Sequence, residues 1–241
     1  MIKKSNIEVA FSPDLFDHYN NTGAITVVVD IFRATSAICA AFENGVDKII
    51  PALDLQEARK LKQQGYIVAA ERDGEVLDFA DFGNSPFNFT PDKVKGKVVA
   101  YSTTNGTKAI YKARDSKMVI IASFINLSAI SELLTSKTLD VIILCAGWKG
   151  NFCIEDAVFA GALTEKLMQT NKFSLSCDSA TASLDLWKLA KDDILKYIDK
   201  TMQRQRLARL RLDDILDYCF TPDSSNVVPV IKEGTIEAYG S

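Results

Sequence analysis

Short apolar runs rich in β-branched residues alternate along this chain with segments of helical periodicity. "ITVVVDI" (25–31) precedes "SAICAAFENG", and "DKIIPA" (47–52) precedes "DLQEARKLKQQG", a helix with Asp54 as N-cap and Gly65 as its stop. "YIVAAE", "KVVAYS", "MVIIAS" and "DVIILCA" repeat the pattern, with helical segments after most of them. Runs apolar at every position belong to strands buried on both faces. The alternation therefore predicts βαβ units and a three-layer α/β/α fold with a largely parallel, or mixed, sheet. Residues 179–219 read as mostly helical, and "NVVPVI" reads as an edge strand, because Pro229 has no N–H to give a ladder. At 241 residues the chain is within the reach of one domain, and residues 1–241 are expected to form a single α/β unit.

Composition narrows the class of partner. Hydrophobic residues make up 47% and charged residues 24%, the balance of a globular protein with a large core. A net charge of −3 gives no general attraction to nucleic acid or to an anionic membrane. The basic stretch "QRQRLARLR" (203–211) spaces Leu207 and Leu210 as a helix would, and reads as a solvated amphipathic helix. Five cysteines, at 39, 145, 153, 177 and 219, form no C-x-x-C pair and no zinc-ligand spacing, which implies reduced thiols and a cytoplasmic protein. The opening "MIKKSNIEVAFSPD" lacks the apolar core of a signal peptide, and no run approaches the length of a membrane span. His18, the one histidine, stands in a polar stretch and reads as a surface residue.

Ligands of open parallel sheets bind beyond the carboxyl ends of the strands, so the residues there carry the functional signal. Asp30 and Arg33 follow "TVVV", and Glu71 and Arg72 follow "IVAA". Ser102, Thr103, Thr104, Asn105 and Gly106 follow "VVAY", Ser123 follows "VIIA", and Cys145, Gly147 and then "GNFCIEDAVFAGA" follow "VIIL". Singly each has a structural alternative: Asp30 as a cap, Glu71 paired with Arg72, the threonines as a helix start. Together they bring acids, guanidinium groups and hydroxyls toward one edge. Residues 71–91, "ERDGEVLDFADFGNSPFNFTP", show no clear period and read as an active-site loop.

Thr104 to Thr107 would place backbone N–H groups, hydroxyls and a helix amino terminus at one spot, with Gly106 permitting close approach. That suits a phosphate or similar oxyanion, although "NGTK" lacks the order of a Walker loop. The acidic oxygens of Asp30, Glu71, Glu155 and Asp156 suit Mg²⁺, which takes a few carboxylates together with substrate phosphate. A phosphate-monoester hydrolase is the leading reading, and a non-catalytic phospho-ligand binding module is the alternative from another class. No arginine closes a loop with Cys145 or Cys153, which argues against a cysteine phosphatase and leaves these two as packing or lining residues. "VVVDIFRAT" with "VVAYSTTNG" superficially resembles an aspartyl-nucleophile phosphatase of the haloacid-dehalogenase type, but Phe32 stands where a second Asp would act.

A closer resemblance rests on "VVVDIFRATSAICAAFENG", "ERDG", "DFGNSPFNF", "KVVAYSTTNGTKAI" and "AGWKGNFCIEDAVFAG", in that order and at those separations. Over roughly residues 25–165, and more weakly in the "DDILDYC…VVPVI" tail, the chain resembles the 2-phosphosulfolactate phosphatase family. The resemblance implies an α/β fold and Mg²⁺-dependent hydrolysis of a 2-phospho-3-sulfolactate-like ester to sulfolactate and phosphate, a step of coenzyme M synthesis. The roles assigned on this basis are as follows. Asp30, Glu71 and Asp156 are the candidate Mg²⁺ ligands, with Glu155 the substitute for Asp156. Asp30 stands as either ligand or nucleophile. Thr103, Thr104, Asn105, Gly106 and Thr107 bind phosphoryl oxygens, with Ser123 beside them; Arg33 and Arg72 hold the phosphate or the far acidic groups; Asn84 and Ser85 close the site. The expected partner is a small anionic phosphorylated substrate, and a homodimer is the default expectation for oligomeric state.

Overall fold

The computed structural model describes residues 4–19 and 22–240, so the first three residues of the opening stretch lie outside it. In chain order the elements are β1 (Ser5–Ala10), β2 (Ile25–Val29), α1 (Ala34–Glu43), β3 (Lys48–Pro51), α2 (Leu55–Gln63), β4 (Ile67–Arg72), β5 (Glu75–Val76) and α3 (Pro91–Val94). Then follow β6 (Val98–Ser102), α4 (Gly106–Lys112), β7 (Met118–Ala122), α5 (Leu127–Lys137), β8 (Val141–Cys145), α6 (Ile154–Gln169) and β9 (Phe173–Leu175). The carboxy-terminal part holds α7 (Asp178–Ala190), α8 (Ile194–Ile198), α9 (Met202–Arg209), α10 (Leu216–Phe220), β10 (Pro229–Lys232) and β11 (Thr235–Ala238). The stretch 179–219 is thus mostly helical, as its sequence indicates. In α2, Asp54 Oδ1 accepts from Glu57 N at 2.8 Å, and Gly65, at φ +90°, follows the last turn, so cap and stop are those read from the sequence.

The strands form one eleven-stranded sheet in the order β5-β4-β6-β3-β11-β10-β7-β2-β8-β1-β9. It contains two parallel blocks: β7, β2, β8, β1 and β9 on one side, and β3, β6 and β4 on the other. Between them lies the β10–β11 hairpin, antiparallel to β7, to β3 and within itself. Three successive antiparallel pairings reverse the sense of one block relative to the other. This corrects the expectation of an edge strand at Pro229. The hairpin is interior, and Pro229 is tolerated because it opens β10, which meets β7 at one paired position, Val230 with Ile120. The true edges are the short β5 and β9.

Alternation along each strand separates the cores. Val27 and Val29 of β2 face the layer of α5, α6 and α7, with Phe159, Leu163 and Leu134 among the largest contributors. Val28 belongs to the opposite cluster, which gathers Ala37 and Ile38 of α1 and Ala109 and Ile110 of α4. That second cluster takes Ile121 and Leu144 from one block and Ile49, Val99 and Tyr101 from the other, so α1 and α4 lie where both blocks bury them. A third, smaller cluster sets Leu61 of α2 against Val68, Ala70 and Ala100.

Residues 71–91 are more ordered than their irregular composition indicates. Asp73 and Gly74 take φ +55° and +92°, a two-residue reversal that pairs Glu75 and Val76 back on β4. Asp81 N then donates to Val68 O at 2.8 Å and Ala70 N to Phe82 O at 2.9 Å, so the segment runs along β4 before turning at Pro86–Asn88.

Candidate active site

The two blocks meet at their carboxyl ends despite their opposite sense. A Cβ on Gly106, which opens α4 just past β6, would stand 2.4 Å from Ala34 Cβ and 3.1 Å from Asp30 Oδ2, just past β2. Only glycine lets α4 approach α1 and the Asp30 carboxylate so closely. Asp30 itself is fixed by a tight turn: its N–H donates to Thr35 Oγ1 at 3.0 Å, and that hydroxyl donates back to the Asp30 carbonyl at 2.9 Å.

Four carboxylates are buried around this point: Asp30 at 8% exposure, Glu71 at 4%, Glu155 at 2% and Asp156 at 3%. Glu71 and Asp156 have their oxygens engaged by backbone. Glu71 Oε1 accepts from Thr104 N at 2.8 Å and Thr104 Oγ1 at 3.1 Å, and its Oε2 accepts from Gly74 N at 2.7 Å. Asp156 accepts from Ile31 N at 2.9 Å and Gly147 N at 3.1 Å, tying α6 to the ends of β2 and β8. Asp30 and Glu155 are freer. Asp30 Oδ1 has one long contact from Ala34 N at 3.4 Å, and Glu155 Oε2 is buried without a hydrogen-bond partner among the described residues.

Burial, followed by the charge of Asp156, raises the Asp30 carboxyl well above its ordinary range. Burial likewise pushes Glu155 up to about 7, with Asp30 adding to it, and Asp156 up to about 8, with Glu155 adding. Three acids that resist ionising side by side will hold protons or a cation. Among the described residues no three Asp, Glu, His or Cys side chains converge as a ready metal cage. Mg²⁺ does not require one: it is commonly held by one or two carboxylates, waters and substrate phosphate. The unpartnered oxygen of Glu155 and the raised Asp30 fit that donor set, and both adjacent residues of α6, Glu155 and Asp156, are buried beside Asp30.

The arginines divide. Arg33, 6% exposed, forms no close ion pair among the described residues, although its charge reaches the Asp30 carboxyl and partly offsets the upward push on it. Arg72 leaves β4 on the face opposite Glu71; its Nη2 donates to Ser102 Oγ at 2.9 Å and its Nη1 to the Glu71 carbonyl at 2.6 Å. The structure thus sets Arg33, not Arg72, on the side of the carboxylates. Arg206, in the helix read as a solvated face, was not singled out from the sequence. It stacks over Trp148 with its guanidinium carbon 3.9 Å from the ring centre and donates to the Asp73 carbonyl. Lys149 Nζ pairs with Asp73 Oδ1 at 2.8 Å.

The threonine loop is largely occupied with itself. Thr107 N donates to Thr103 Oγ1 at 3.2 Å and Thr107 Oγ1 to the Thr103 carbonyl at 3.0 Å, while Thr104 holds Glu71 and accepts from Asp73 N at 3.0 Å. Asn105 Oδ1 accepts from Lys149 N at 3.0 Å, linking the two blocks. Ser123 is fully buried against Ser36, with hydroxyls 2.7 Å apart, and starts the turn before α5. Asn84 Oδ1 is buried with no hydrogen bond of good geometry among the described residues, beside the Tyr101 hydroxyl. His18 is exposed. Cys145 and Cys153 are buried, and burial raises both thiols above their ordinary range, which leaves them poor nucleophiles.

Three cavities are lined by neighbours of the carboxylates, and Glu155 lines one of them itself. The largest, about 640 Å³, is lined by Asp14, Leu53, Asp73, Thr104, Asn105 and Lys149, all in loops after parallel strands. A second, about 290 Å³, is lined by Arg33, Gly74, Asn84, Ser85 and Arg211. A third, about 420 Å³, is lined by Trp148, Cys153, Glu155 and Thr201. Asp73, Lys149, Trp148 and Arg206 stand among them.

A model of the 2-phosphosulpholactate phosphatase family matches residues 10–234. The chain belongs to that family. Among its relatives is a probable 2-phosphosulfolactate phosphatase of Caldanaerobacter subterraneus subsp. tengcongensis, 34% identical over 87% of this chain and 88% of the relative. Similarly named proteins of Clostridium beijerinckii and Thermotoga maritima are 32% and 35% identical, over 95% and 86% of this chain and 98% and 89% of their own lengths. The 2-phosphosulfolactate phosphatase match spans both blocks of the sheet, all four carboxylates and α9. Within this family frame Phe32 has a packing role, its ring 5.3 Å from that of Phe220, so nothing at that position supplies the second acid of a haloacid-dehalogenase scheme. No helix among the described residues is long and apolar enough to cross a membrane.

Proposed function

We propose that this chain is a Mg²⁺-dependent phosphatase that converts 2-phospho-3-sulfolactate to 3-sulfolactate and phosphate, a step of coenzyme M synthesis. The observation that carries the reading is the juxtaposition of buried, mutually repelling carboxylates with a buried arginine that forms no close ion pair among the described residues. A cation and an anion together satisfy that arrangement, and a phosphate monoester with Mg²⁺ brings both. Such a metal, when bound, would supply charge neutralisation at the phosphoryl oxygens and activation of a water for attack. Asp30 and Glu155 would hold it, because their oxygens are the least committed. Glu71 and Asp156 act by position: each carboxylate fixes backbone amides of neighbouring loops, so the strand ends keep their places when ligand arrives. Arg33 takes an anionic oxygen of the substrate. Five free thiols suit a reducing, cytoplasmic setting.

Phosphate release from a panel of esters tests this: 2-phospho-3-sulfolactate, other phosphorylated 2-hydroxy acids, and neutral alkyl or aryl phosphates. The acidic esters are expected to be turned over far faster. Equal turnover of neutral esters, or none of any, contradicts the reading. Rapid quench then assigns the nucleophile: a phosphoaspartate mapped to Asp30 identifies that residue, whereas direct attack by water leaves none.

A further inference from the structure

We propose that Arg206 is a substrate-binding residue which, together with Arg33, grips the sulfonate end of the substrate. The inference rests on the proposed reaction and deepens it by assigning the distal anion a site.

The geometry begins with how α9 is held. Thr201 Oγ1 accepts from Arg204 N at 3.3 Å to cap the helix, and Leu207, 2% exposed, anchors it in the core. Arg206 then projects over Trp148 and donates to the Asp73 carbonyl, its one hydrogen bond among the described residues. A guanidinium has five N–H donors, so most remain for a ligand. Arg206 forms no ion pair among the described residues, and neither does Arg33. Burial disfavours the charge on Arg206 most; Glu71 and Asp73 support it, and Arg33 is near enough to oppose it by less. Two cations set near each other, neither in a close ion pair among the described residues and one with most of its donors unused, form a site for an anion.

A cavity of suitable size adjoins them. A Cβ on Gly74 would lie 3.3 Å from Arg206 Nη2, and Gly74 lines the cavity of about 290 Å³ that Arg33, Asn84, Ser85 and Arg211 also line. Gly74 N donates to Glu71 Oε2 at 2.7 Å, so this cavity adjoins the carboxylate centre. The substrate's chemistry fixes which anion reaches it. Its carboxylate shares a carbon with the phosphate ester and stays at the centre, whereas the sulfonate is one carbon further out. Planar guanidinium groups match the oxygens of such a group.

The test uses the full chain as wild type, Arg206→Ala, Arg206→Lys and, as a control on the same helix, the exposed Arg209→Ala. Phosphate release from 2-phospho-3-sulfolactate is compared with that from 2-phospholactate, which lacks the sulfonate, and 3-sulfolactate and lactate binding are measured by calorimetry without turnover. Arg206→Ala is expected to lower kcat/KM for the sulfonated ester roughly 10- to 100-fold and for 2-phospholactate less than about threefold, and to weaken 3-sulfolactate binding in parallel. Arg206→Lys should fall between, and Arg209→Ala should match wild type. Equal losses on both esters, no loss on either, or wild-type binding of 3-sulfolactate no tighter than of lactate would overturn the assignment. If wild type released phosphate from no ester, the phosphatase reading would fail, while the 3-sulfolactate titration would still decide Arg206.

Discussion

Asp30 is the residue on which the proposed chemistry turns. Its carboxyl is raised by burial and by Asp156, so replacing it with Asn removes a repelling charge at little steric cost. Asp30→Asn is therefore expected to melt at the wild-type temperature or higher, while phosphate release falls by about a thousandfold or more, as for removal of a metal-binding or nucleophilic group. Thermal melts beside kinetic assays check both halves; a folded variant with wild-type turnover would remove Asp30 from the site. That Asp30, Arg33, Glu71, Glu155 and Asp156 gather at one edge was legible because acids and arginine in the segments that follow apolar strands have few structural uses in such numbers. What was not legible is their division of labour. That Thr104 bonds Glu71, and that Arg72 turns toward Ser102, depends on side-chain direction in the folded sheet.

Among the elements, the helices that bracket the site touch through glycines. Gly106→Ala would drive a methyl to 2.4 Å from Ala34 Cβ, beside Asp30, and is expected to cost on the order of 1–3 kcal/mol and most of the activity. Gly161→Ala would bring a Cβ to 2.0 Å from the Ser183 carbonyl, between α6 and α7 and away from the cavities; it should lower the melting temperature but leave KM unchanged. Denaturation curves and Michaelis kinetics on both variants separate the two, and a Gly106→Ala enzyme with normal kinetics would contradict the close packing of α4 on α1. The strands and most helices were readable from periodicity, since buried apolar runs and capped amphipathic helices leave local marks. The β10–β11 hairpin was misplaced because Pro229 signals an edge, whereas position within a sheet is set by partners far along the chain. Asp73-Gly74 carried a hairpin signal that the irregular composition of 71–91 obscured. Arg206 left no mark: its helix has an ordinary amphipathic pattern, and only the docking of Leu207 carries it to Trp148.

For the whole molecule, the buried acids couple stability to pH and to metal. Burial pushes Glu155 up to about 7 and Asp156 up to about 8 in the folded chain, from ordinary values of 4.5 and 3.8. Folded values above unfolded ones mean a contribution fully present below about pH 4 and lost as pH rises through 7 to 8. The melting temperature of the chelated protein is thus expected to fall between pH 5 and pH 8 on account of these groups, and saturating Mg²⁺ should recover more at pH 8 than at pH 5, because the cation binds the ionised forms. A melting temperature that rises across that interval, with no gain from Mg²⁺, would contradict the carboxylate centre as drawn. The most direct measurement is phosphate release from 2-phospho-3-sulfolactate by exhaustively chelated wild-type protein, followed by titration with Mg²⁺. Turnover is expected to be absent under chelation and to return saturably with added Mg²⁺; full turnover by the chelated protein, or none after Mg²⁺ is restored, would contradict a metal-dependent phosphatase centred on Asp30 and Glu155.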